Sequence, residues 1–254
     1  MLHDLDYAQT HRDNYGGGMR PFSGTLSAAA APRLRDRLHL TADGPLEVLH
    51  TGPHAVYLAV DRPGSTPWCV GIVGSRAAAL PNALRVALPD LRSLDLTAVH
   101  VLEGRLQAGS IAIRVARIVD VEVPALPGPR APAPEQAEVD RLVAGIGLGS
   151  GLTPYGDDVL CGWLGLQRAA GRATPDVEAA VRAALPRTTL LSATLLDCAL
   201  HGEVLPELAA YVAALGTPQE TLREAALAAI GATSGQGLLE GVRLARTGRA
   251  ERAA

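Results

Sequence analysis

The spacing of hydrophobic positions changes part-way along this chain. Over 46–50, 55–60, 68–73, 98–102, 110–115 and 119–123, apolar and polar residues alternate in short runs closed by Gly, Pro or Asp turns. A period of two puts every second side chain on one surface, the mark of a half-buried strand. These runs predict a small β-rich domain, a barrel or a sandwich, with one helix over 27–38. Beyond residue 135 the apolar positions recur every three or four residues. They predict helices near 135–145, 157–171, 175–185, 189–201, 204–215, 218–230 and 236–247. Gly202 and Gly216 stand where helices stop, and Pro175, Pro206 and Pro218 where they start. The 157–171 segment is apolar nearly all round, which predicts a buried central helix, and its Gly162 and Gly165 leave room for close neighbours.

Pro124, Pro127, Pro129, Pro132 and Pro134 crowd the boundary between the two periods. Proline fixes φ and donates no backbone hydrogen bond, so this run reads as an extended linker. The expected fold is α+β: a β-rich N-terminal domain over 1–123, a proline-rich linker over 124–134, and an α-helical bundle of about seven helices over 135–254.

Composition narrows the function classes. A hydrophobic content of 48% excludes a largely disordered chain, and a net charge of −3 is not a nucleic-acid footprint. No basic, apolar leader opens the sequence, and no run approaches the ~20 apolar residues of a membrane span, so a cytoplasmic protein that engages neither membrane nor nucleic acid is expected. All 23 basic residues are arginine. A Schiff-base lysine or a lysine-dependent phosphate loop is therefore excluded on this chain, and any anion clamp must use arginine or backbone N–H groups. Cys69, Cys161 and Cys198 are far apart, and burial in the core is the expectation for them. A Cys198, His201 and Glu203 constellation is the reactive alternative. The scattered histidines give no zinc-ligand spacing.

Three segments carry more polarity than packing requires. The first is the glycine-rich loop 147–158, with Gly147, Gly149, Gly151 and Gly156, then Asp157 and Asp158 at the start of a helix. Such a loop offers free N–H groups to an anion. Gly149, Ser150, Gly151 and Thr153 are its candidate binding residues. Asp157 and Asp158 are candidate catalytic residues or ligands of a divalent cation, against the plainer reading of a turn with an aspartate N-cap. The second segment is Arg187, Thr188, Thr189 and Ser192 at a helix start, with hydroxyls three and four residues apart on one face. The third is the turn at Thr233, Ser234 and Gly235, which opens the last helix. Successive helical residues point about 100° apart, so the two aspartates should divide their work. One would cap the helix and hold the loop, and the other would face a cleft formed with Thr188, Ser192 and the 233–235 turn.

Read together, 147–158, 188–202 and 231–235 resemble a bacterial family of long-uncharacterised domain that includes the AllH-type subunit of oxamate carbamoyltransferase, from anaerobic allantoin use. The resemblance implies a subunit of a carbamoyltransferase-type complex with companion protein subunits. It would bind an anionic small molecule, carbamoyl phosphate or its acceptor, at the loop. The alternative is a non-catalytic or ligand-sensing subunit whose loop packs against another chain. The third motif departs from the family: Ala232 stands where a histidine is common, and Gly237 where an aspartate is.

Overall fold

The computed structural model describes residues 24–127, 133–172 and 175–250. Its strands are β1 (Gly24–Ala30), β2 (Gly44–Thr51), β3 (Ala55–Val60), β4 (Trp68–Val73), β5 (Ala83–Val86), β6 (Val99–Leu102), β7 (Arg105–Ala108) and β8 (Ile111–Ile118). They close into one barrel in the order β1-β5-β4-β3-β2-β6-β7-β8. Hairpins supply β2–β3, β3–β4, β6–β7 and β7–β8, half of the neighbour pairs. The closure is parallel, with β1 lying along β8 from Gly24 opposite Ile111 to Ala30 opposite Ile118. Val56, Leu58, Val70, Ile72, Leu84, Leu106 and Ile113 are fully buried and fill the interior. β4 is buried on both faces, because Cys69 packs into the helical core while its neighbours face the barrel.

The chain is thus α+β, with helices α1 (Pro32–His39), α2 (Gln136–Ala144), α3 (Tyr155–Ala169), α4 (Pro175–Ala184), α5 (Leu190–Leu200), α6 (Pro206–Ala214), α7 (Glu220–Ala228) and α8 (Ser234–Ala250). α3 is the buried centre, with Trp163 fully enclosed and its indole N–H donating to Glu138 at 2.7 Å. Glycines let α8 lie directly on it. A Cβ at Gly162 would stand 2.1 Å from the Leu238 carbonyl oxygen, and one at Gly241 1.9 Å from that of Val159.

Two expected elements are corrected. Residues 27–30 are strand, not helix: the alanines favour a helix by propensity, but pairing with β8 decides the matter, and α1 starts only at Pro32. Residues 119–123 alternate like a strand yet join no sheet. They lie along the helices instead, where Glu122 bridges Glu203, Val121 O accepts from Val204 N at 2.8 Å and Val123 N donates to Gly202 O at 2.8 Å. Leu126 N continues this docking onto Ala169 O at 2.8 Å. Within the expected linker, 124–127 is non-helical and 128–132 lies outside the described residues.

Candidate functional site

The glycine loop is folded back beneath the start of α3. Gly147 and Gly149 have φ of +81° and +126°, values that side chains resist. A Cβ at Gly147 would stand 2.3 Å from Arg187 O, and one at Gly149 2.5 Å from Tyr155 N. Pro154 takes the N-cap place of α3, so Asp157 and Asp158 are third and fourth in the helix and neither caps it. Gly156 N donates to Leu148 O at 2.9 Å, and the amides of Asp157 and Asp158 reach Pro154 O at 3.0 and 3.2 Å. Several of the donors expected to face an anion at this helix mouth are therefore turned inward. Gly149, Ser150 and Gly151 remain exposed.

Asp157 is fully buried and ties three segments together. Its Oδ1 accepts from Gly147 N at 2.8 Å, and its Oδ2 accepts from Ser192 Oγ at 2.7 Å and from the Thr188 hydroxyl. Three donors meet the hydrogen-bonding need that burial imposes on this side chain. Thr189 reinforces the junction as the N-cap of α5. It accepts from Ser192 N at 3.1 Å and donates to Leu152 O at 2.6 Å. Arg187, expected beside the loop as an anion clamp, instead donates to Ala144 O at 2.9 Å and to the carbonyls of Val143 and Ile146 at 3.4 Å. Its charge caps the C-terminal end of α2.

Asp158 faces elsewhere. Its carboxyl is buried, Oδ2 has no hydrogen-bond partner, and the hydroxyls of Thr153 and Ser234 flank it, 3.0 Å apart. Burial pushes its pKa up to about 7, helped by the nearby Asp157 charge and opposed by the Ser234 and Thr153 hydroxyls. α8 comes this close only because position 237 is glycine: a Cβ there would stand 2.7 Å from Asp158 Cβ. Asp158 also lines a small, mostly apolar cleft with Cys161, Glu203, Leu205, Leu208 and Leu238.

The aspartates do divide their work, but the partners are sorted differently from the single cleft expected. Thr188 and Ser192 go to Asp157, while Thr153 and Ser234 go to Asp158. Thr233 is exposed beside them. Gly235 is buried against α7, where a Cβ would lie 2.1 Å from Leu227 O.

A divalent cation does not fit this pair. Asp157 meets N–H and O–H donors where a metal ligand would meet the ion, and no set of three His, Cys, Asp or Glu gathers among the described residues. The cysteine constellation is not assembled either. Cys198 is buried and its thiol pushed far up by that burial, His201 Nδ1 faces Asp197 O at 2.7 Å, and Glu203 accepts from Arg33 at 2.8 Å.

Sequence reasoning missed a second polar cluster, where α1 and the barrel rim meet α5. Arg33 pairs with Asp197 and Glu203, and Arg182 with Asp197 at 2.6 Å. Arg37 stacks 4.2 Å over the Trp68 ring. The signal available was the four-residue spacing of Arg33 and Arg37 on one helix face.

Residues 145–246 match the family described as oxamate carbamoyltransferase subunit AllH. The match takes in all three motif segments, and the resemblance they carry holds across that span, which is less than half of the chain and leaves the barrel outside. No curated protein and no solved structure matches the chain. Among the described residues no helix is long and apolar enough to cross a membrane.

Proposed function

We propose that this protein is a subunit of an oxamate carbamoyltransferase-like complex that takes a small anion, carbamoyl phosphate or its acceptor, at the 147–158 loop. The observation that carries the reading is the Asp157 junction. One buried carboxylate fixes the glycine loop to Thr188 and Ser192 of a second motif, inside the span that matches the family. Such fixing sets exposed backbone N–H groups of 149–151 in place before a ligand arrives, so little ordering cost falls on binding. Asp157 is then a positioning residue. Asp158, with a pKa near neutrality, is the proton-transfer group beside it. As the acceptor nitrogen bonds to the carbamoyl carbon, its proton passes to the Asp158 carboxylate, and phosphate leaves with the electrons of the broken C–O bond. The chain is further read as a β-rich domain over 1–123, a linker over 124–134 and a helical domain over 135–254, in a cytoplasmic complex with no nucleic-acid role.

The test is carbamoyl transfer from carbamoyl phosphate to oxamate, by this chain alone and with its companion subunits. Turnover is expected only in the complex, and Asp158→Asn should lower it at least a hundredfold. Robust transfer by the isolated chain, or full activity of the variant complex, would overturn the reading.

A second reading has its own support. Leu148, Leu152 and Tyr155 are exposed by 64%, 38% and 37% around the same loop. Clustered exposed apolar side chains suit a protein contact, as a non-catalytic subunit would need. Under that reading Leu148→Glu breaks assembly while the small-molecule affinity of the chain is nil.

A further inference from the structure

One wall of the barrel carries an unbalanced charge. Five adjacent strands of the ring, β5, β1, β8, β7 and β6, contain four arginines and no aspartate or glutamate. In the ring order β7 stands opposite β4, the strand that packs on the helices, so this wall faces away from the helical half. The registers gather three of the arginines. Arg85 and Arg117 lie on the strands either side of Ala29, and Arg114 lies opposite Ser27, two residues along β1. Strand neighbours are about 4.8 Å apart, which sets the Arg85 and Arg117 backbones roughly 10 Å from each other. Arg114 and Arg117 are three residues apart and would point to opposite faces of a regular strand. The irregularity in the β1–β8 register between Ala28 and Ala29 falls between them, and both side chains are exposed. Arg85 is exposed too and donates to Ser75 O at 3.0 Å. Among the described residues none of these three pairs with a carboxylate. Elsewhere on the surface Arg35, Arg92, Arg243 and Arg246 each hold one, and Arg105 reaches Glu103 in the β6–β7 turn at 2.6 Å.

We infer that this wall is a docking surface for an acidic face of a companion subunit, whose carboxylates pair with Arg85, Arg114 and Arg117. A guanidinium presents a planar fork that a carboxylate meets with two parallel hydrogen bonds. The residues between the three arginines are short, Ser27 and Ala29 among them, so a partner can approach closely enough to make such pairs. Leu102, opposite Arg105 on the same wall, is exposed and adds an apolar contact at its border. A closed barrel offers no free strand edge, so the recognition rests on side chains. The chemistry fits protein carboxylates better than nucleic acid. These strands hold no Phe, Tyr or Trp on which bases could stack, and a net charge of −3 repels a polyanion from the rest of the molecule. The inference rests on the reading of this chain as one subunit of a complex, but not on the ligand of the loop or on Asp158.

Sedimentation velocity of the full chain mixed with the other subunits of the oxamate carbamoyltransferase-like complex tests it, at low and at high salt. The wild type is expected to associate and to weaken as salt rises. The double variant Arg114→Glu/Arg117→Glu should weaken association at least tenfold with the circular dichroism spectrum unchanged. If the double variant does not fold, Arg85→Gln/Arg114→Gln/Arg117→Gln, which removes the charges without reversing them, should weaken association at least threefold. No association of the wild type, or unchanged association of the folded variant, would overturn the inference. So would a loss confined to contacts between copies of this chain, or tighter binding of the wild type to duplex DNA or to phosphatidylserine vesicles than to the companion subunits. Carbamoyl transfer, assayed on the same mixtures, separates the two proposals. Arginine-dependent association without transfer defeats the proposed activity and leaves the docking surface standing, whereas transfer by a complex that assembles equally well with the variant does the reverse.

Discussion

At the scale of single residues, the two adjacent aspartates show how 100° of helical rotation separates fates. Asp157 turns toward donors and Asp158 toward an apolar cleft. Replacing Asp157 by alanine leaves a buried N–H and two hydroxyls without their acceptor. The expected loss is about 3 kcal/mol in urea unfolding, well above the ~1 kcal/mol of a lost cap. Asp158 should give a pH signature. Its folded pKa, near 7, lies above its unfolded value, so the folded state binds the extra proton. Stability attached to that proton is fully present below about pH 4 and is lost as pH rises through 7. Asp158→Asn should flatten the stability curve across that window; an unchanged slope would contradict the burial argument. The same group should make activity of the assembled complex rise with pH through about 7. The hydroxyl spacing of Thr188 and Ser192 made their shared face legible beforehand. Their allocation to Asp157 rather than Asp158 was not, because it depends on how α5 is set against α3.

At the scale of elements, legibility followed length and punctuation. α3 and α6 could be read because a 3.6-residue period runs between clear stops and starts, Gly202 at φ +83° and Pro206 among them. β5 and β7, four residues each, are too short to show a period, and a barrel cannot be recognised as closed without them. Alanine-rich β1 carried no strand signal of its own, since its partner β8 lies more than eighty residues along the chain. The α3–α8 seam yields a prediction at this scale. Gly241→Ala would place a methyl group 1.9 Å from a backbone oxygen, and neither helix has a flexible side chain there to move aside. A loss of more than about 3 kcal/mol is expected by thermal or chemical unfolding. Tolerance of alanine would mean that the two helices are not in backbone contact.

At the scale of the whole molecule, barrel and helices meet through Cys69 of β4, whose amide N–H donates to Thr194 Oγ1 at 2.8 Å, and through the ion pairs of Arg33. Arg33 lies more than 160 residues from Asp197 and Glu203, a distance at which sequence patterns carry no information. Because Arg33 is about a third exposed, Arg33→Met should cost only about 1–2 kcal/mol. The glycine loop was the opposite case, legible because four glycines and two aspartates stand out within an Ala- and Leu-rich stretch. What the loop does rests on its being held ready by Asp157. The direct test is calorimetric titration of carbamoyl phosphate into the wild-type chain and into Asp157→Ala, with folding checked by circular dichroism. Saturable binding by the wild type and at least a tenfold weaker affinity in the folded variant are predicted; no binding by the wild type, or equal affinity in both, would contradict the account.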